Sequence, residues 1–390
     1  MTGRLRIAVM TPRYAISGVP LAQWRFAAAL AADGHAVDLI VGRCDPDLTI
    51  PAAPGVAVHV LAVPKVRDLT VPIWRYLRRE KPDVVFAAED HLTVIVLLAA
   101  ILSRSRAKIS GSSRVTPFDT YSNVPFTKRW VLKWAMRVVA PRADALTCVS
   151  QDMVAQYRQV FAKARHVCVY NIVDQPAARA KRDAPLDDPW FVGNDVPVIV
   201  AAGTLAPWKG FDDLIRAIAI LRRTHAVRLV ILGEGDARGA LEALILAEGV
   251  ADCVRLPGRV DNPLKYFAHA DVFALSSHVE GLPNVLVEAM LCGCTPVATD
   301  CPTGPREVLQ DGRYGYLVSV RDPAALAEGL SRGLDQPIPP ATLAEGVRPF
   351  EERAVLDRHF ALLGLGLGLG LGLGLGLDRE PGPAPLAPAG

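Results

Sequence analysis

Several classes of protein are excluded by what this 390-residue chain lacks. Its seven cysteines are odd in number and scattered, and no two form a C-x2-C pair. The spacing therefore supports neither a disulfide framework nor a zinc site, and it implies reduced thiols in a cytosol. The one cluster, Cys292-Gly293-Cys294 with Cys301, reads as small buried packing residues. No run of about 18 uninterrupted apolar residues offers a spanning helix. Met1–Arg6 runs straight into a strand rather than a signal peptide. A formal charge of +3 is too mild for a nucleic-acid partner. Asp45-Pro46-Asp47 is a D-x-D, but with a proline in a loop it reads as a turn rather than a metal site. A cytoplasmic protein with no bound metal is the expectation, placed at most at the inner face of a membrane.

What is present is a large apolar fraction, 51%, enough for two cores, and a length that favours two domains. Leu5–Met10 is an apolar strand, Pro20–Asp33 an Ala-rich helix closed by Gly34, and Ala36–Val41 a second strand. Strand, loop, helix and strand make a βαβ unit, whose ligands lie beyond the carboxyl ends of the strands. Gly18, in the connecting loop, is a residue that a ligand can approach closely. Alternation continues through Val56–Val63, Val71–Glu80, Asp83–Ala87, His91–Leu102 and Ala107–Ser110. His91, entering a helix from a strand, is a candidate for bonding a substrate hydroxyl. Arg114, in the polar stretch Gly111–Asn123, is a candidate for an anionic acceptor, with loop scaffolding as the alternative. Phe126–Val139 carries Trp130 and Trp134 among Lys128, Arg129, Lys133 and Arg137. That composition suits a helix on an anionic membrane surface or a core helix whose basic stems cover the surface.

The chain is organised around His278–Cys301, HVEGLPNVLVEAMLCGCTPVATDC. Pro283 is suited to a first helical position, and Val285, Leu286, Ala289 and Met290 recur at helical spacing. Gly293 closes the helix, and Thr295–Ala298 is a short buried strand. Glu280 lies in the loop before this helix. Glu288 lies inside it, among apolar neighbours, where a carboxylate needs hydrogen-bond partners. Between the two acids stands a helix N-terminus, whose free N–H groups suit a phosphate. Two hydroxyl acceptors flanking a phosphate seat are what a nucleotide-sugar needs.

Glu280-Gly281-Leu282-Pro283-Asn284-Val285, running on to Glu288, resembles the E-x7-E signature of the retaining glycosyltransferases of family 4. Gly203-Thr204-Leu205 through Lys209-Gly210 is similar to that family's G-x-L-x-x-x-K-G loop. The resemblance covers about Arg6 to Leu330. It implies an α/β chain with the GT-B fold, two Rossmann-like domains facing each other across a cleft. The acceptor-binding domain would span 1–174, a linker 175–195 and the nucleotide-sugar domain 196–349. A C-terminal helix over 350–363 and a low-complexity Leu/Gly and Pro-rich tail over 364–390 would follow.

By the same resemblance Glu288 holds the ribose and Glu280 the donor sugar, while Lys209 and the Leu282–Val285 backbone hold the diphosphate. Gly18, Gly281, Pro283 and Asn284 line the donor, and Arg259-Val260 meets the base. Glu280, Lys209 and His91 are the catalytic candidates. Thr204 stands where an Arg is common, so Arg238 or Arg306 is expected to supply the second cation. No cofactor is implied, because cations and N–H groups can stabilise the leaving diphosphate. The expected partners are a nucleotide-sugar, a UDP-sugar by the Asp300-to-Glu307 resemblance to transferases that build surface glycans, and a saccharide or lipid-linked saccharide acceptor. The alternatives are a sugar-nucleotide 2-epimerase and a non-catalytic subunit that binds nucleotide-sugar or membrane.

Overall fold

The computed structural model describes residues 3–15, 18–45, 48–63, 65–191 and 195–366. Ser17, Pro46, Asp47 and the Leu/Gly and Pro-rich tail beyond residue 366 lie outside the described residues, so the D-x-D turn is described only at Asp45.

The apolar runs form two wholly parallel sheets. The first contains β1 (Arg6–Thr11), β2 (Ala36–Val41), β3 (Val56–Val60), β4 (Val84–Ala88), β5 (Lys108–Ser113), β6 (Ala145–Cys148) and β7 (His166–Cys168), in the order β3-β2-β1-β4-β5-β6-β7. The second contains β8 (Val198–Ala202), β9 (Arg228–Leu232), β10 (Val254–Gly258), β11 (Val272–Leu275), β12 (Thr295–Thr299) and β13 (Tyr316–Val318), in the order β10-β9-β8-β11-β12-β13. The central strands are buried along most of their length, as expected for parallel strands covered by helices on both faces. Each sheet reverses its winding once, between β1 and β4 in the first and between β8 and β11 in the second. Crevices at the carboxyl ends of strands open at such reversals. These two places position everything that follows.

The stretch after Asp174 has the Pro-rich, charged composition of a linker, yet Pro176–Arg182 is a helix. Pro176 fits at its start because the missing N–H would be unpaired there. The chain crosses back beside its own exit: Val173 and Asp174 donate backbone N–H bonds to Phe350 O, and Glu352 donates to Asp174 O. The following helix, Glu352–Leu362, therefore packs on the first sheet rather than standing apart. Its Val355, Leu356 and Phe360 join Ile7, Val9, Phe26 and Phe86 in one core.

His359 is buried in that core, its ring 4.9 Å from Phe26 and 5.2 Å from Phe86. Burial pushes its pKa down to about 3. The unfolded chain binds a proton at this residue below about pH 6.5, and the folded chain does not until about pH 3. Its contribution to stability is therefore complete above the unfolded pKa and is lost as the pH falls toward the folded one. Thermal stability is expected to drop on acidification below pH 6 by up to about 1.4 kcal/mol per pH unit from this residue. Melting curves of His359→Phe should show a shallower slope over that range.

Candidate active site

The second sheet's reversal brings two loops together. β8 leads into Gly203–Lys209 and β11 leads into Ser276–Pro283. Lys209 ends a short 3-10 turn, Pro207–Lys209, and Gly210 follows with φ 61°. A Cβ on Gly210 would lie 2.1 Å from Ser276 O, so only glycine permits this approach. Ser276 Oγ then donates to Lys209 O at 2.8 Å. The result is a half-buried ion pair, Lys209 Nζ to Glu280 Oε1 at 2.5 Å, with Ser277 Oγ donating to the same oxygen at 2.7 Å. The Glu280 backbone is fixed by its own N–H to Pro302 O and by the N–H of Thr303 to Glu280 O, both 2.8 Å.

The helix between the two acids is Asn284–Leu291, with Pro283 as its N-cap at ψ 85° rather than its first turn residue. Its buried face includes Leu286, Ala289 and Met290, and Val285 is half-buried against the same core. Glu288 is buried at 6% exposure, and its partner comes from the other domain: Arg25 Nη1 lies 2.8 Å from Glu288 Oε1. The second carboxylate oxygen accepts no hydrogen bond from the described residues. Arg25 projects from the Gly18–Ala32 helix, 263 positions away in sequence. No local pattern could have paired the two. The one signal was a lone charged residue in a mostly apolar, Ala-rich helix.

Thr204 is exposed, and Leu205 donates its N–H to Glu234 O. Gly233 and Gly235 serve this packing, since a Cβ on either would overlap Gly203 O or Leu205 O. Neither expected replacement cation is free. Arg238 is bound by Glu234 at 2.6 Å and Glu242 at 2.9 Å, which raise its pKa further. Arg306 is held by Asp300 and by Asp311. Both guanidiniums are thus engaged by carboxylates that stand within six residues of them in sequence. Arg259 is exposed, and Val260 packs on the core beneath.

Arg114 is half-buried and lines a small cavity with Gln23, Tyr170 and His359. Its guanidinium donates to Asn171 Oδ1, and Asn171 Nδ2 donates to Asn284 Oδ1 at 3.0 Å, a relay that joins the domains. Burial lowers the Arg114 pKa to about 10. Its backbone oxygen would sit 3.0 Å from a Cβ on Gly281, so the first domain touches the Glu280 loop directly. Tyr170 and the backbone N–H of Gln151 also cross over to bind Glu307. Gly18 opens its helix with free space around its Cα. His91 is exposed near the start of the Asp90–Ser103 helix, while Glu89, two residues earlier, lines a pocket.

Among the described residues one group brings three metal-type ligands together: Asp212, Asp213 and His278. The group is already engaged internally, because Arg216 approaches both aspartates and His278 Nε2 bonds Asp213 at 2.8 Å. Burial pushes the Cys292 and Cys301 thiols up to about 12, so that cluster is inert packing.

A family model described as "Glycosyl transferases group 1" matches residues 196–336, and one described as "Glycosyl transferase 4-like domain" matches residues 17–171. The chain is 34% identical over 305 residues to the lipopolysaccharide core biosynthesis glycosyltransferase LpsE of Rhizobium meliloti, covering 76% of this chain and 79% of that one. It is 31% identical over 257 residues to the N-acetylgalactosamine-N,N'-diacetylbacillosaminyl-diphospho-undecaprenol 4-alpha-N-acetylgalactosaminyltransferase of Campylobacter jejuni, covering 65% and 67%. Among solved structures, sucrose-phosphate synthase from Thermosynechococcus elongatus superposes with a TM-score of 0.71 at 19% identity, covering 92% and 98%. Anabaena HepE in complex with UDP-glucose superposes at 0.70 and 19%, covering 93% and 100%. The two-sheet architecture is thus the GT-B fold.

Proposed function

The chain belongs to the group 1 glycosyltransferases, and on that premise we propose that it moves a sugar from a UDP-sugar to a saccharide or lipid-linked saccharide, with retention at the anomeric carbon. The observation that carries this reading is the Lys209–Glu280 pair at the β8/β11 reversal, with Glu288 one helix away. A cation, two carboxylates and a helix N-terminus converge at the place where the fold opens its crevice. The relatives support the class of chemistry: two act, by their names, on lipopolysaccharide core or on a diphospho-undecaprenol saccharide, and one structural neighbour holds UDP-glucose.

In this reading the ribose hydroxyls bond the free oxygen of Glu288, while Arg25 holds the other and fixes the rotamer. The diphosphate sits on the Leu282–Val285 backbone and exchanges for Glu280 as the partner of Lys209. Glu280, so released, takes donor-sugar hydroxyls. As the anomeric bond breaks, negative charge collects on the diphosphate, where Lys209 and the oriented N–H groups meet it. No metal is required for that stabilisation. The two acids do not form a glycosidase pair, because the seat between them belongs to a phosphate. Retention is tested by proton NMR of the first product formed from an α-linked UDP-sugar. An α-linkage is expected, and a β-linkage would overturn the retaining mechanism.

The first domain presents a surface suited to a lipid-linked acceptor. On the Lys128–Val139 helix, Met136 and Val139 face inward, whereas Trp134 and Val138 are exposed and Phe126 just before it is 89% exposed. Trp130 lies between Phe126 and Trp134 with its ring tilted against both, and Arg137 lies over the Trp134 ring. Lys128 and Lys133 flank this aromatic ridge. Aromatic rings beside cations fit the headgroup region of an anionic membrane. Sedimentation with vesicles containing phosphatidylglycerol should fall when Trp130 and Trp134 are both replaced by serine. Unchanged binding would count against the contact.

A further inference from the structure

A small cavity of about 20 Å³ lies between the Gly18–Ala32 helix, β4, β5 and the Glu352–Leu362 helix. It has room for one particle the size of a water and for no saccharide. Phe26, Phe86 and Val355 supply its apolar wall, and Gln23, Ser110 and Ser112 supply neutral polar groups. The lining carries one cation, Arg114, and no carboxylate.

Two of these side chains are left without partners where solvent does not reach. Ser110 is 1% exposed, and its Oγ bonds no described residue. Arg114 Nε is likewise buried and bonds no described residue. Leaving a buried donor unpaired costs about 1–3 kcal/mol, and more where the group is charged. Gln23 and Ser112, both buried, add an amide and a second hydroxyl that bond no described residue. The Arg114 guanidinium has one bonded partner, the neutral Asn171 Oδ1. Glu89 acts on it only through space, and Glu307 is taken by Tyr170 and the Gln151 N–H. A buried charge is costly unless it is paired. A water would satisfy the donors but not the charge. A monatomic anion satisfies both.

We propose that this cavity is a chloride site, with the ion held by Arg114 Nε, the Ser110 and Ser112 hydroxyls and the Gln23 amide. The site goes beyond the transferase reading and does not rest on it, because neither a donor nor an acceptor enters a space of this size. Its consequence is interdomain. Gln23 stands two residues before Arg25, the partner of Glu288, on the same helix. Arg114 begins the relay through Asn171 to Asn284. The bound ion therefore ties together two first-domain elements that reach the helix between the two acids.

The test is the melting temperature of the full chain as chloride replaces gluconate at constant ionic strength. Gluconate carries the same charge and is too large for the cavity. Wild type is expected to gain roughly 2–4 °C as chloride rises to about 10 times its Kd, by mass action on the folded state. Ser110→Ala removes one donor without adding bulk. The chloride concentration that gives half of the gain should then rise roughly 10-fold or more, the value of a hydrogen bond to a charged group. Arg114→Gln should show no gain. Crystals of wild type grown in bromide give a second reading that needs no variant to fold. An anomalous peak is expected in the cavity, within hydrogen-bond distance of Arg114 Nε and Ser110 Oγ. Water density there with no anomalous signal overturns the proposal. So does a wild type that gains nothing from chloride, or an equal gain at equal concentration in Ser110→Ala, which marks a general salt effect on the surface.

Discussion

Lys209→Ala is expected to lower the rate of sugar transfer by roughly 100- to 1000-fold, the usual cost of removing one preorganised group that meets transition-state charge. Among the described residues Lys209 is the cation placed against Glu280 in this crevice. Thr204 is neutral, and Arg238 and Arg306 are each neutralised by two carboxylates. A family member with an Arg at position 204 would keep a second cation after the same substitution; this chain would not. A second route to the loss is misplacement of Glu280, whose Oε1 keeps only Ser277 Oγ in this variant. Glu280→Gln separates the two effects. If Lys209 acts on the diphosphate, the double variant loses nearly as much as Lys209→Ala multiplied by Glu280→Gln. If it acts only by holding Glu280, the double variant equals the worse single one.

Glu288→Gln is expected to weaken donor binding by roughly 10- to 150-fold, from the loss of about 1.5–3 kcal/mol in hydrogen bonds to a charged group. The amide still accepts from Arg25, so the interdomain contact survives and the fold is undisturbed. Arg25→Ala acts on the same carboxylate from the other side. It leaves Glu288 buried without its 2.8 Å partner, free to turn away from the ribose. Donor affinity should fall by a smaller factor than in Glu288→Gln, and the melting temperature should fall as well, because an unpaired buried charge destabilises the folded state. Equilibrium binding of UDP and melting curves of the two variants read these effects separately. Equal loss of UDP affinity in both would mean that Arg25 itself contacts the nucleotide.

The donor half of this site was legible because it is local. Glu280, Pro283 and Glu288 lie within one loop and one helix, and Lys209 lies in one glycine-marked loop, so short motifs resembling those of the family pointed to them. The strands were legible because parallel strands buried on both faces read as unbroken apolar runs between glycine and proline. What depended on distant pairing was not legible. Arg25 reaches Glu288 only because the two sheets face each other. Arg114 looks like a free cation until Asn171 and Asn284 are set beside it. The Glu352–Leu362 helix gives no sign that it returns to the first domain. Arg238 could have been read correctly, since Glu234 and Glu242 stand four residues to either side, the spacing of helical ion pairs. His91 drew attention as a titratable residue entering a helix, and it stands exposed near the start of the Asp90–Ser103 helix.

The account turns on the claim that the β8/β11 crevice is a nucleotide-sugar site. Binding of UDP-, GDP- and ADP-sugars to the wild-type chain, compared with Lys209→Ala and Glu288→Ala, tests it most directly. Selective binding of a UDP-sugar, lost in both variants, is the predicted result. A folded wild-type chain that binds none of these donors, or variants that bind as tightly as wild type, would contradict it.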